Sequence, residues 1–198
     1  MSFEIAVIGA SLGGLRALGQ LLSGLPDNFP LPVAIVQHRV VESGGGLCAA
    51  LQKHCRLIVK EAHDKEPIAP GRVYLAPSDY HLLVDRWRFA LSTEAPVLHA
   101  RPSIDVLFES AAYAYRERVV GVLLTGASHD GAQGLARIKE RGGRTIVQDP
   151  STAESSVMPL AAIAAARVDH ILPPAAIAAF LIDIASHVEV KDARRSAS

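Results

Sequence analysis

The alternation of apolar runs along the chain predicts an α/β domain: three layers, α/β/α, with a doubly wound, mostly parallel sheet and an antiparallel hairpin insertion. Two observations carry this. Short continuous apolar runs, the mark of strands buried on both faces, alternate with amphipathic helical segments. Hydrophobic content is 49% but aromatic content only 5%, so the core is built mainly from Ala, Val, Leu and Ile, which suits close helix–sheet packing. At 198 residues a single domain is expected.

The elements follow in order. Residues 5–8 form a buried strand, and the helix Gly14–Ser23 after it stops near Gly24 and Pro26. Residues 32–38 form a second buried strand ending in a histidine. The glycine stretch Gly44-Gly45-Gly46 precedes a helix over 47–54, and residues 57–59 form a short strand. Residues 71–77 lead to the turn pair Ser78-Asp79. Residues 81–85 and 88–92 alternate about a tight Arg86-Trp87 connection. The spacing predicts antiparallel hairpins attached to the main sheet. Residues 95–103 read as loop. Pro102-Ser103 announces a helix over 103–115, with Asp105 in its first turn. Residues 119–125 form a buried strand, a helix over 132–141 stops at Gly142-Gly143, and residues 144–147 form a strand. A loop over 148–156, a helix over 159–166, a strand over 168–172 and a helix over 174–187 complete residues 1–188 as one domain. Residues 189–198 are expected to be a polar, frayed tail.

Lys plus Arg and Asp plus Glu number 20 each, so the net charge is zero, which argues against a nucleic-acid surface. Two cysteines, Cys48 and Cys55, are too few for a disulfide framework and suit a reducing compartment; they read as two buried thiols. The first strand begins with no basic leader before it, and no apolar run reaches the roughly 18 to 20 residues of a membrane span. A cytoplasmic protein without membrane insertion is expected.

In parallel sheets, sites lie outside the carboxyl ends of the strands. Ser11, His38 and Asp130 fall there. The first turn, Gly9-Ala10-Ser11-Leu12-Gly13-Gly14, invites a dinucleotide reading, but Ser11 stands where that fingerprint needs its second glycine. The second strand also ends in Gln37-His38-Arg39 rather than in an acid for the ribose. No Gly-Lys-Ser/Thr follows, so a Walker loop fails too. A nucleophile elbow fits better: Ser11 as nucleophile, His38 as base and Asp130 as its orienting acid. The backbone N–H groups of Leu12 and Ala127 are candidate oxyanion donors. Plainer roles stay open: Ser11 and Asp130 as helix caps, and His129 as a rival base. Arg101 and Asp105 read either as a solvent-facing pair or as lining a groove. Gln148 and Met158 read either as loop packing or as shaping the cleft. His54, Cys55 and His63 lack a convincing metal-ligand set, and no metal or cofactor is expected.

The chain resembles the catalytic domain of the chemotaxis methylesterase (CheB) family from about residue 5 to 172. The matching blocks are Ile8-Gly9-Ala10-Ser11 with Gly13-Gly14, Gln37-His38, Val59-Lys60-Glu61-Ala62, and Pro70-Gly71 with Tyr74, Ala76-Pro77 and His81. Arg101-Pro102-Ser103-Ile104-Asp105-Val106-Leu107-Phe108 and Gly121-Val122-Leu123-Leu124-Thr125-Gly126 follow. Asp130-Gly131-Ala132-Gln133-Gly134, Gln148-Asp149 and Met158-Pro159 finish the series. The resemblance implies hydrolysis of glutamyl methyl esters on the cytoplasmic helices of chemoreceptors, with deamidation of certain glutamines. It places nucleophile, histidine and aspartate on Ser11, His38 and Asp130. Gln37, Arg101, Gln148 and Met158 are taken as cleft residues. The chain departs from the family at Leu12, usually Thr; at Ala127-Ser128-His129, usually Met-Gly-Asn; and at Val157, usually Gly. The family's usual N-terminal receiver domain has no counterpart in these residues, so either a free-standing paralogue or an excised domain is expected, and the regulatory partner stays open. An esterase or amidase of different substrate, or an inactive receptor-binding paralogue, are the alternatives.

Overall fold

Every side chain of the first strand, β1 (Ile5–Ala10), is buried, as expected of a strand at the middle of a sheet covered on both faces. The structure is a computed structural model that describes residues 3–39 and 46–195. After β1 come α1 (Gly14–Ser23), β2 (Val33–Gln37), α2 (Gly46–Gln52), β3 (Ile58–Glu61), β4 (Arg72–Leu75), β5 (His81–Asp85) and β6 (Arg88–Ser92). The second half holds α3 (Ile104–Tyr115), β7 (Val119–Leu123), α4 (Ala132–Glu140), β8 (Arg144–Gln148), α5 (Val157–Ala165), β9 (His170–Leu172) and α6 (Pro174–Arg195). Seven strands form one parallel sheet in the order β3-β4-β2-β1-β7-β8-β9.

Alternation along the strands divides the core. Ala6, Ile8, Val33 and Ile35 face a layer holding Leu18 and Leu22 of α1, Leu51 of α2 and Leu181 of α6. Ile5, Val7, Ala34 and Val36 face the opposite layer, with Leu107 and Phe108 of α3, Leu135 and Ile138 of α4, and Met158 of α5. Three layers result, as the sequence predicts.

The middle of the chain differs from expectation. β4 is not part of a hairpin; it inserts between β3 and β2, parallel to both. The β5–β6 hairpin forms its own two-stranded sheet rather than joining the main one. Its apolar face has another place to go: Leu82, Val84 and Phe89 pack in the same cluster as Tyr74, Phe108 and Tyr115. The Val84 N–H also donates to Ser110 Oγ of α3 at 3.0 Å. The last helix, expected to end at His187, continues to Arg195, because no Gly or Pro interrupts residues 188–195. Residues 196–198 and the expected glycines Gly44 and Gly45 lie outside the described residues.

The chain leaves β1 for β2 on one side of the sheet and later returns to place β7 on the other. The carboxyl ends of β1 and β7 therefore flank the topological switch point, where a crevice opens.

Candidate active site

Ser11 directly follows β1 at this crevice. Its N–H donates to Thr125 O beyond β7 (3.0 Å), and its carbonyl accepts from the Gly14 N–H (2.8 Å), closing the turn. Gly13 takes φ +76°, and its N-cap position carries no side-chain cap. Gln37 Nε2 donates to both Ser11 O (2.9 Å) and His38 O (2.8 Å), tying the ends of β1 and β2 together. A Cβ on Gly14 would run into that Gln37 side chain. The His38 N–H donates to Ala10 O (2.9 Å), one step beyond the Ala10–Gln37 register pair, so His38 sits beside Ser11 on the neighbouring strand end. Among the described residues, Ser11 Oγ and the N–H groups of Leu12 and Ala127 have no hydrogen-bond partner. Thr125 Oγ1 donates to Leu12 O (2.9 Å) and accepts from the Ser155 N–H (3.0 Å), which fixes the turn to the loops beyond β7 and β8.

His38 Nε2 lies 2.7 Å from Asp130 Oδ2. With Nε2–H donating to the carboxylate, Nδ1 is the nitrogen left to act as base, the reverse of the usual triad arrangement. Asp130 is fully buried and accepts three further hydrogen bonds: Ile104 N–H (2.7 Å) on Oδ2, and Ser103 Oγ–H (2.8 Å) and Asp105 N–H (3.0 Å) on Oδ1. Burial by itself would raise this carboxyl, but the His38 and backbone donors outweigh it and hold Asp130 below its ordinary value. His129 is exposed on the adjoining turn.

Ser11, His38 and Ser128 open onto a groove of about 1240 Å³ between α1 and the loop at 96–102. Its apolar wall is Leu12 (52% exposed) and Leu15 (48%), faced by Leu98 (54%). Arg101 lines the groove but is not paired with Asp105. Its guanidinium binds Asp79 Oδ1 (2.6 and 2.9 Å) and the carbonyls of Thr93 (2.9 Å) and Glu94 (3.0 Å), pinning the groove wall. Gln37 lines it as well. Two expected cleft residues do not. Gln148 is buried beneath the loop after β7, where its Oε1 accepts the Thr125 N–H (2.9 Å) and its Nε2 donates to Thr152 O (3.1 Å). Met158 is fully buried under Gly126, so closely that a Cβ there would overlap its sulfur. Both pack beneath the loop after β7. Cys55 is buried as expected, but Cys48 only half-buried.

Three residues matter more than the sequence suggested. Ser103, expected as a helix start, also donates to Asp130. His81 is buried; its Nδ1 accepts from the Ser103 N–H (3.2 Å) while Nε2 faces Ala95 O (3.2 Å), so it is neutral with the proton on Nε2. Asp105 is buried against α4 rather than facing solvent or groove. An acid in a first helical turn is the one local signal for it, and that signal does not distinguish its own helix from a neighbour's.

The family model described as CheB methylesterase matches residues 6–181. A Leptospira interrogans protein, provisionally named protein-glutamate methylesterase/protein-glutamine glutaminase, is 49% identical over 173 residues, covering 87% of this chain and 90% of its own. A protein-glutamate methylesterase/protein-glutamine glutaminase of Anaeromyxobacter dehalogenans is 47% identical over 86% of this chain, which spans 50% of that longer protein. The crystal structure of the Thermotoga maritima CheB methylesterase catalytic domain superposes with a TM-score of 0.88 at 36% identity, over 93% of this chain and 100% of that one.

Proposed function

Because the chain belongs to the CheB methylesterase family, we propose that it is a serine hydrolase of glutamyl methyl esters on the cytoplasmic helices of chemoreceptors, also able to deamidate glutamines there. It acts in the cytoplasm; no helix among the described residues is long and apolar enough to cross a membrane. The observation that carries the chemistry is the 2.7 Å contact between His38 Nε2 and a buried, charged Asp130, at the strand end next to Ser11.

His38 Nδ1 takes the proton of Ser11 Oγ as the oxygen attacks the side-chain carbonyl. The negative charge that develops on the carbonyl oxygen meets the N–H groups of Leu12 and Ala127 and the positive end of α1. Asp130 keeps the imidazole in place and offsets its positive charge. The imidazolium returns the proton to the departing methoxide, and methanol leaves an acyl-enzyme on Ser11. Water then gives a proton to His38 and attacks the ester; collapse returns that proton to Ser11 Oγ and frees a glutamic acid, which gives up water's other proton to solvent to become the carboxylate. With a glutamine substrate the leaving group is ammonia.

Incubation with a methylated receptor cytoplasmic fragment tests this: methanol release by the wild type, absent in Ser11→Ala, is expected. A wild type that releases none overturns the receptor assignment. The exposed Leu12, in place of the family's usual Thr, favours the second reading, an esterase of different substrate. Turnover of a small methyl ester without receptor turnover would select it.

A further inference from the structure

Asp105 has no part in that chemistry, yet its carboxylate is buried a single residue contact from the catalytic acid. Its Oδ1 accepts the Gly134 N–H at 2.6 Å. This amide lies in the first turn of α4, whose N-cap, Gly131, has no side chain to do the capping. Asp130, which precedes α4, in turn accepts the Ile104 and Asp105 N–H groups at the start of α3. Each helix therefore begins on a carboxylate carried by the other. The exchange needs close approach: a Cβ on Gly134 would lie 2.6 Å from Phe108 Cβ and 3.0 Å from the Asp105 backbone.

We propose that Asp105 is a positioning residue for the catalytic acid. It holds the first turn of α4 through the Gly134 N–H, four residues after Asp130, and lends Asp130 its own N–H, so that the carboxylate can face His38 from one direction only. The inference rests on the Ser11–His38–Asp130 reading above. Burial is what chiefly raises the Asp105 carboxyl, to about 6, and the charges of Asp130 and Glu109 facing it add to this. The Gly134 N–H works against both and helps to keep the carboxylate in place.

The test compares Asp105→Ala and Asp105→Asn with wild type and Ser11→Ala. It uses ester hydrolysis at about pH 8, above the Asp105 titration, and the downfield NMR proton of the His38–Asp130 hydrogen bond. Folded Asp105→Ala should lose about tenfold or more in kcat with KM changed by less than about twofold, and its downfield proton should shift or broaden. Asp105→Asn keeps one acceptor oxygen and should recover most of kcat. If Asp105→Ala fails to fold, the resonance of Asp105→Asn decides, and it must be displaced from the wild-type position. A folded Asp105→Ala with wild-type kcat, or either Asp105 variant with a wild-type resonance, overturns the proposal. Persistent turnover in Ser11→Ala would instead overturn the catalytic reading, while the resonance comparison would still report on Asp105.

Discussion

The N-termini of α1 and α3 are finished in opposite ways. At α1 the cap is a glycine, no acidic residue stands in the first turn, and the N–H groups of Leu12, just before it, and of Ala127, on the loop after β7, have no partner among the described residues. At α3, Ser103 caps the helix, and Asp130 accepts from Ile104 and Asp105 in a fully buried site. Both ends carry partial positive charge. One end is bound to a fixed, buried carboxylate; the other has the exposed Glu154 carboxylate beside Gly13 but leaves the Leu12 and Ala127 donors without a partner among the described residues. The proposed chemistry needs both: a settled anion to hold the base, and an unsettled donor pair for the oxyanion.

The largest effect is expected from opening the closed end. Asp130→Ala strips the partner from His38, Ser103 and two backbone amides. It should lower kcat about 10⁴-fold and destabilise the fold by about 3 to 5 kcal/mol, read by steady-state kinetics and denaturant unfolding. Closing the open end comes next. Leu12→Asp puts a carboxylate at the α1 terminus, where it competes for the free amides, and should cost about 10- to 100-fold in kcat with little change in unfolding.

The two carboxylates at the closed end titrate in opposite directions, which gives a pH test. Asp130 is held low, so its contribution is present above the ordinary carboxylate value of 3.8 and is lost as pH falls through its depressed one. Asp105 is raised from 3.8 to about 6, so the folded state binds that proton more tightly. Its contribution is complete below 3.8 and is lost as pH rises through about 6. Relative to Asp105→Asn, the wild type should lose on the order of 3 kcal/mol of unfolding free energy across that window. Equal slopes in the two unfolding series would contradict this. The smallest effect belongs to Leu12→Thr, which leaves the backbone donor intact and changes only the groove wall. We expect kcat within about threefold and a change mainly in KM.

How far these features were legible depends on how local their causes are. The turn at Ser11, the bounds of α1 and the Ser103 cap were readable because glycine spacing, helical periodicity and cap chemistry act within a few residues. The meeting of residues 38 and 130 was readable because parallel sheets gather strand ends on one side. The place of β4 between β3 and β2 was not, since parallel pairing over long separations leaves no local mark. Gln148 and Met158 read either as loop packing or as cleft residues, and it is the packing reading that their burial matches. What buries them is the loop after β7, some twenty or thirty residues earlier in the chain. Asp105 failed for the same reason: the partner of its carboxylate is an amide of another helix.

Trapping the acyl-enzyme tests the central claim most directly. Wild-type protein quenched with acid during turnover of a methyl ester, then digested and weighed, should carry the acyl mass on the peptide containing Ser11. Ser11→Ala should carry none and turn over at least about 10³-fold more slowly. Continued turnover in Ser11→Ala, or an acyl mass on any other residue, would contradict the account.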